Sequence, residues 1–370
     1  MKNKAGFFIS FLAASVAFSP LSSAEVYAKE EWTMTTTWPE NLDLIEIDRH
    51  WVELVNNIAG DDLNINFRSG GTLMPGTEVF DATQTGAIQA AGDWPGYWAG
   101  LSPAFSPLAT TTSLFNAVDY INWIHQWGGW ELYQEVYEEY GMVYLPYAAL
   151  NTESGFMGRT PITSLADLEG KRLRLSGRDQ GRVLEKLGGS QVTLSGGELY
   201  QAIERGVVDG GEFSNPGIDH KAGFDEVVDY WSTPGWHQSG TVLGVMINKG
   251  AWDALSEETQ EKLKIAAEAT MTWALAWSER GSTEGAIDFI EAGVTINQLP
   301  DEDIERIQEI TNEVIVQGAC EDPMHAKVYH SMISYLDHYA NWRDVSVPYN
   351  MSRVTDDLPS LEEIEACMNQ

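Results

Sequence analysis

The chain has few cysteines and few basic residues. Its 370 residues include two cysteines, and 22 lysines and arginines stand against 55 aspartates and glutamates, for a formal net charge of −33. Such a charge repels nucleic acids and anionic membranes, so we expect neither as a partner. It also repels anionic ligands at long range, so an anion site here needs strong local compensation.

The common signatures of enzymes are also absent. The sequence contains no His-Glu-x-x-His, no Cys-x-x-Cys, no phosphate-loop Gly-Lys-Ser/Thr and no Gly-x-Ser-x-Gly nucleophile elbow. Its seven histidines are scattered, and a loop histidine such as His237 is more often a hydrogen-bonding residue than a catalytic one. We therefore expect a binding protein that requires no cofactor. The alternative is a secreted α/β enzyme, a lyase or hydrolase that acts on a small carboxylic acid.

Residues 1–28 have the pattern of a signal peptide. Two lysines precede an apolar stretch rich in small residues, and small-residue cleavage sites end at Ala24 and Ala28. The stretch is too short for a membrane-spanning helix of about 20 residues. We expect export to the periplasm with cleavage of this segment. In an exported chain, Cys320 and Cys367 predict one disulfide, with two free thiols as the alternative.

The rest of the chain is too long for one comfortable core and predicts two lobes. Strands alternate with helices, and the pattern favours a two-lobed α/β binding protein with a ligand cleft between the lobes. A helical pattern from Ser256 to about Ala292 predicts a helix of about 50 Å, long enough to span both lobes. We assign residues 29–152 and 241–275 to the first lobe, 153–240 and 276–345 to the second, and 346–370 to a C-terminal tail.

A short pattern occurs twice in the chain. Residues 80–89 (FDATQTGAIQ) and 200–209 (YQAIERGVVD) share a helix-like stretch that ends at a glycine, and each follows a Ser-Gly-Gly. In this register, Gly92-Asp93-Trp94 corresponds to Glu212-Phe213-Ser214. Chance is one interpretation. The other is two lobes of similar build whose equivalent strand ends face each other across a cleft.

Arg174 and Glu212 are the main candidates for a ligand site. Each ends or follows a short predicted strand, and open α/β sheets bind ligands outside the carboxyl ends of their strands. The guanidinium of Arg174 can hold a carboxylate through two parallel hydrogen bonds. Glu212 fits a metal cation that bridges to the ligand, or an acceptor for a ligand hydroxyl group. An ordinary ion pair is the alternative for both residues.

Aromatic residues near these strand ends predict the walls of the pocket. Those that we expect around the ligand are Trp94, Tyr97, Trp98, Phe213 and Trp236. Packing in the core is the alternative for each of them.

These residues resemble the DctP-type solute-binding proteins of tripartite ATP-independent periplasmic (TRAP) transporters. The resemblance lies in residues 168–174 (LEGKRLR), 197–212 (GELYQAIERGVVDGGE) and 252–260 (WDALSEETQ), and it extends over most of the chain. Shorter stretches, such as Asn151-Thr152, are similar to the branch that binds 2-oxo acids, lactate and related monocarboxylates.

The resemblance implies a receptor, monomer or homodimer, that captures a small organic acid and passes it to TRAP membrane subunits for sodium-driven uptake. A sensor-linked binding protein would use the same cleft. The resemblance also implies that Arg174 binds the ligand carboxylate and that Asn151 belongs to the ligand site. The implied ligands of a bridging Na⁺ or Ca²⁺ are Glu212, the carbonyl group of Phe213 and Gln238.

The chain departs from this branch at three positions. Gly155 stands where a metal-ligating glutamine is expected, Gln238 where an acid is common, and Phe213 where tryptophan is usual.

Overall fold

The structure, a computed structural model, describes residues 29–346, so the predicted signal peptide (1–28) and residues 347–370 of the predicted tail lie outside it. The strands of the described part are β1 (Glu30–Thr36), β2 (Leu63–Phe67), β3 (Ala90–Asp93), β4 (Met142–Asn151), β5 (Phe156–Gly158), β6 (Arg172–Arg174), β7 (Ser190–Val192), β8 (Gly210–Gly211), β9 (Tyr230–Thr233), β10 (Gly240–Asn248) and β11 (Thr295–Gln298). Its helices are α1 (Ile45–Ile58), α2 (Val79–Gln84), α3 (Phe105–Ala109), α4 (Ala117–Gln126), α5 (Gly129–Glu138), α6 (Arg178–Lys186), α7 (Gly196–Glu204), α8 (Pro216–Lys221), α9 (Lys249–Asp253), α10 (Glu257–Glu291), α11 (Asp301–Glu321) and α12 (Pro323–Ser346).

The strands form two separate sheets, one in each lobe. The order in the first sheet is β2-β1-β3-β10-β4, and the order in the second is β11-β9-β5-β8-β6-β7. In the first sheet β1 pairs in parallel with β2 and β3, whereas β10 runs antiparallel to both of its neighbours. This mixed α/β arrangement confirms the predicted fold class.

Three connections join the lobes before α11, and the turn from α11 to α12 is a fourth. The chain leaves the first sheet through β4 and returns through β10, and these two strands pair with Gly240 opposite Asn151. The third connection is α10, whose 35 residues extend over about 52 Å. The carbonyl oxygen of Leu263 in α10 accepts a 3.5 Å bond from Trp51 of the first lobe, and Ser278 accepts a 3.0 Å bond from Asn215 of the second. The long helix therefore spans both lobes, as predicted.

The repeated sequence pattern adopts the same local structure in each lobe. Helices α2 and α7 are followed by Gly86 and Gly206, whose φ angles are +76° and +68°, and then by the strands β3 and β8. Only glycine adopts such angles without strain. The two strands end at Asp93 and Gly211. The residues that follow them, Trp94 and Glu212, therefore lie in the region between the lobes.

The last helix packs on the first lobe. Val328, Met332 and Tyr335 of α12 lie in a hydrophobic core with residues of α3, α4 and α5, and the Tyr335 hydroxyl group donates to Asp119 at 3.1 Å. The division predicted from the sequence places residues 276–345 in the second lobe. The burial of this apolar face against first-lobe helices favours assigning 323–346 to the first lobe instead, and the other boundaries stay predictions.

Two further features bear on the sequence predictions. Cys320 is exposed near the end of α11, and Cys367 lies outside the described residues, so their disulfide stays a prediction. Among residues 29–346, no helix combines the length and the apolar character that crossing a membrane requires.

Candidate functional site

A pocket lies between the lobes. The first sheet and its loops contribute mostly apolar side chains, and the second lobe and the crossings contribute most of the polar ones. The lining residues are Trp38, Leu44, Trp94, Tyr97, Leu150, Thr241 and Leu243 on the first side, and Glu153, Ser176, Phe213, Ser214 and Gln238 on the second. The pocket can therefore hold a small molecule with one polar end and one apolar end.

Arg174 is a buried cation next to this lining, with its guanidinium carbon 5.6 Å from the Phe213 ring. It ends β6, where its neighbours Leu173 and Leu175 are buried in the second-lobe core. The Arg174 side chain is 1% exposed, and its Nε donates to the carbonyl oxygen of Leu194 at 3.1 Å. Its Nη1 donates to the carbonyl oxygen of Glu212 at 2.5 Å. The guanidinium is thus held in one orientation by its own lobe, which suits the recognition of a planar carboxylate.

Glu212 follows β8 and lies beside Arg174. Its Oε2 is 3.1 Å from Nη1 of Arg174, while Oε1 accepts bonds of 2.7 and 2.9 Å from the backbone and hydroxyl groups of Ser176. Burial acts to raise the pKa of Glu212, but the charge of Arg174 and the Ser176 bonds outweigh it and hold this pKa below its usual value. Glu212 is therefore ionised at neutral pH.

Glu153 is a buried acid of the site that the sequence analysis missed. It lies in the crossing after β4, where its carboxylate accepts a 2.5 Å bond from the Gln238 amide and is 3.1 Å from Nε2 of His237. Burial and the charge of Glu212 raise the pKa of Glu153 well above its usual range. Glu212 is thus the more acidic of the two carboxyl groups, as expected of coupled acids in different surroundings.

These buried groups fit a metal cation. One ligand atom from each of Glu153, Glu212 and His237 lies within 4.8 Å of the others. Burial lowers the pKa of His237 to about 4, so its ring is neutral at pH 7 and can offer a lone pair. Oε2 of Glu212 and Nδ1 of His237 make no hydrogen bond within residues 29–346. A carboxylate–imidazole set is suited to a cation, although Oε2 of Glu212 also forms the ion pair with Arg174 at 3.1 Å.

The structure explains why position 155 cannot supply a metal ligand. Gly155 has a φ angle of +108°, and a β-carbon there would lie 2.2 Å from the carbonyl oxygen of Ser232. Glu153, two residues earlier, instead contacts His237 and Gln238 at this end of the pocket. The family resemblance implies an amide at position 155 and an acid at position 238. Glu153 and Gln238 supply one acid and one amide at this end of the pocket by a different pair of positions.

Among the predicted pocket residues, Trp94, Tyr97 and Phe213 line the enclosed pocket. The Trp94 indole group donates to the Thr241 hydroxyl group at 2.8 Å and so offers the ligand a carbon surface. The Phe213 ring lies 5.6 Å from the guanidinium carbon of Arg174. That ring packs so closely on Gly196 that a β-carbon there would lie 2.0 Å from it.

The other predicted residues lie outside the enclosed pocket. Trp98 lines the outer part of the cleft, a space of about 1650 Å³ toward solvent, and its indole group donates to Asp93 at 2.8 Å. Trp236 packs against Phe156 in the second-lobe core. Asn151 donates to Glu279 of α10 at 2.9 Å. The structure therefore does not bring Trp98, Trp236 or Asn151 to the pocket wall.

Comparison with known families decides the kind of protein. The profile of the bacterial extracellular solute-binding proteins of family 7 (DctP) matches residues 34–320. The chain belongs to the DctP family. It is a solute-binding receptor and not an enzyme, so the predicted receptor is confirmed and the alternative of a lyase or hydrolase is wrong.

Similar proteins extend over most of this receptor. A monocarboxylate 2-oxoacid-binding periplasmic protein from Nostoc is 28% identical over 316 residues, which are 85% of this chain and 86% of the relative. A TRAP transporter solute-binding protein from Bordetella bronchiseptica, a mixed-occupancy dimer with calcium and picolinate in one active site, superposes with a TM-score of 0.82 at 26% identity over 86% of this chain and 95% of its own.

A TRAP periplasmic solute-binding protein from Pseudoalteromonas atlantica with bound sodium and pyruvate superposes with a TM-score of 0.81 at 25% identity, over 86% of this chain and 97% of its own. Relatives of this receptor thus bind a small acid together with sodium or calcium.

Proposed function

We propose that this receptor binds a small monocarboxylate, a 2-oxo or 2-hydroxy acid, and delivers it to the membrane subunits of a TRAP transporter for sodium-driven uptake. The observation that carries the proposal is the buried Arg174 guanidinium next to a pocket whose first-lobe side is mostly apolar. The relatives from Nostoc and Pseudoalteromonas, which bind 2-oxo acids and pyruvate, support the same ligand class.

The proposed roles follow from the geometry. Arg174 binds the ligand carboxylate and holds it against the second lobe. A Na⁺ or Ca²⁺ ion is held by Glu212, Glu153 and His237, with the carbonyl group of Phe213, and neutralises the carboxylates that would otherwise repel an anion. The apolar side chains of the first lobe exclude water when the lobes close.

The apolar wall restricts the remainder of the ligand. The indole N–H of Trp94 already donates to Thr241 and is not available to the ligand. The adjacent wall is formed by Leu44, Leu150 and Leu243. A second carboxylate or ammonium group placed there would lose its hydration without a partner, which is strongly unfavourable. We therefore expect a short hydrocarbon substituent and discrimination against dicarboxylates.

The location follows from the sequence and the family. We propose export with cleavage of residues 1–28, so that the receptor works in the periplasm. Mass spectrometry of the mature protein identifies the cleavage site, and size-exclusion chromatography with light scattering distinguishes a monomer from a homodimer.

A binding panel tests the ligand class. Thermal unfolding is followed with pyruvate, 2-oxobutanoate, lactate and succinate, each in calcium, in sodium and after chelation in sodium-free buffer. Saturation at a hundredfold excess over Kd stabilises the folded protein by about 2.7 kcal/mol. We expect the monocarboxylates to raise Tm in the presence of a cation and succinate to have little effect. If no monocarboxylate raises Tm under any condition, the proposed function is wrong.

A further inference from the structure

The serine at position 113 has an unusual backbone conformation. Its φ angle is +52°, and among residues 29–346 no other residue except glycine has a positive φ angle. This left-handed conformation is unfavourable for serine because the β-carbon crowds the backbone, whereas glycine would adopt it without strain. Strain of this kind persists only where the surrounding structure fixes the residue, and it is concentrated at functional sites. The contacts that hold Ser113 therefore bear on function.

Ser113 joins the first lobe to a crossing between the lobes. It lies in the α3–α4 loop (residues 110–116) of the first lobe, where its side chain is half-buried. Its hydroxyl group donates to the carbonyl oxygen of Trp236 at 3.2 Å. Trp236 belongs to the β9–β10 crossing (residues 234–239), which leads from the second sheet back to the first. The strained residue thus contacts the segment that also carries the candidate cation ligand His237.

A second side chain completes the attachment of the loop to this crossing. The Ser239 hydroxyl group donates to the carbonyl oxygens of Thr111 at 3.2 Å and Phe115 at 2.8 Å. The α3–α4 loop is therefore bonded to the crossing at positions 236 and 239, one on each side of His237 and Gln238. Both of these side chains in turn contact Glu153.

The bond from Ser113 restricts the orientation of His237. The carbonyl group of Trp236 lies in the same peptide plane as the nitrogen and the α-carbon of His237, because the peptide unit is planar. Holding this carbonyl oxygen therefore restricts the direction in which the imidazole leaves the backbone. The ring is buried, with Nε2 3.1 Å from the Glu153 carboxylate, and its Nδ1 has no hydrogen-bond partner within the described residues. Ser113 is thus one peptide plane away from a ligand of the proposed cation site.

We propose that Ser113 is a positioning residue of the cation site, whose hydroxyl group holds the Trp236–His237 peptide so that the imidazole faces Glu153 and Glu212 before a cation binds. The inference rests on the proposed function, because it presupposes that these three residues bind Na⁺ or Ca²⁺. Groups that orient metal ligands raise the affinity of a site without touching the metal. The bond to Trp236 also accounts for the strained backbone, since it holds the serine in this conformation.

Two substitutions separate the hydroxyl group from the backbone strain. Ser113→Ala removes the bond to Trp236 and keeps a β-carbon at the strained position, whereas Ser113→Gly removes the bond and the strain together. Calorimetric titration with calcium or sodium alone, whichever the wild type binds, measures the cation site without any acid. We expect both variants to weaken cation binding by a similar factor, at least about tenfold. Thermal unfolding should give Ser113→Gly a higher Tm than Ser113→Ala, so that affinity follows the hydroxyl group and stability follows the strain.

Thr110→Val is the matched control. Thr110 lies in the same loop and donates to the carbonyl oxygen of Gly240 at 2.7 Å, so this variant also removes one bond between the loop and the returning chain. That bond is three residues beyond His237 and does not involve its peptide plane. We expect Thr110→Val to lower Tm and to keep the Kd for the cation within about twofold of the wild type.

The other outcomes separate the explanations. Wild-type cation affinity in both Ser113 variants overturns the positioning role. Equal weakening by Thr110→Val and Ser113→Ala also overturns it, because the effect then lies in the docking of the whole loop. If Ser113→Ala does not fold, Ser113→Gly decides alone, since glycine adopts this backbone conformation freely. A wild-type protein that binds neither calcium nor sodium counts against the proposed cation site itself, and this result appears before any variant is compared.

Discussion

Removal of the Arg174 side chain should destabilise the protein as well as prevent ligand binding. The guanidinium is buried against the Glu212 carboxylate at 3.1 Å. Its loss leaves that carboxylate buried without its cation, and breaking a buried pair from one side costs about 3–5 kcal/mol. Since domains are stable by only about 5–15 kcal/mol, Arg174→Ala should lose a large part of the free energy of unfolding.

Arg174→Lys is the better probe of ligand recognition. Lysine keeps the positive charge beside Glu212 but loses the planar fork and the bond from Nε to Leu194. We expect acid binding to weaken by about 1.5–3 kcal/mol, roughly 10- to 100-fold, with a smaller loss of stability than in Arg174→Ala. The double variant Arg174→Ala/Glu212→Gln should recover part of the stability, because it removes the uncompensated charge, but none of the binding.

Urea unfolding and calorimetry measure both effects. The matched control is Arg172→Ala on the same strand, whose side chain is half exposed and paired with Asp209 at 3.2 Å. An exposed pair of this kind contributes about 0–1 kcal/mol. If Arg174→Ala unfolds like this control and binds the acid with wild-type affinity, both the buried ion pair and the ligand role of Arg174 are refuted.

Three further predictions concern the cation, pH and the cysteines. Glu153→Gln should abolish the dependence of acid affinity on calcium or sodium in calorimetry, and unchanged dependence would contradict the proposed metal site. Burial raises the pKa of Asp93 to about 7, so between about pH 4 and pH 7 the folded state keeps a proton that the unfolded state releases, and this contribution to stability is lost as pH rises. In urea unfolding Asp93→Asn should therefore gain stability relative to the wild type from about pH 5 to about pH 8, and a constant difference would contradict the shift. Alkylation of denatured, non-reduced protein should label neither Cys320 nor Cys367, and labelling of both would exclude the disulfide.

The sequence predicted the parts of the site that depend on strand ends. Arg174 and Glu212 each lie at the carboxyl end of a short strand of one sheet, so local pattern and sheet geometry were sufficient to bring them together. The repeated helix–glycine–strand pattern likewise placed Trp94 and Phe213 on facing sides of the pocket.

The site residues that the sequence did not predict lie in irregular segments between strands and helices. Glu153 lies in a polar crossing between the lobes, and the turn at Gly155 directs it toward His237 and Gln238. No periodic pattern in the sequence fixes such a turn. The only sequence signal for Glu153 is an acidic residue two positions after the strand that leads out of the first lobe. Trp236 lies near the site in sequence, but its ring belongs to the second-lobe core, where it packs against Phe156.

The packing of α12 on the first lobe has a practical consequence. Strand β1, where the described chain begins, belongs to the first sheet, and α12, where it ends, covers helices of the same lobe. A fluorescent protein or a surface anchor attached near either end of the described chain is therefore attached to the first lobe. The second lobe can still move relative to it. A dye on the exposed face of the second lobe would then report the distance between the lobes relative to the label on the first. Such a labelled receptor would serve as a sensor for its acid.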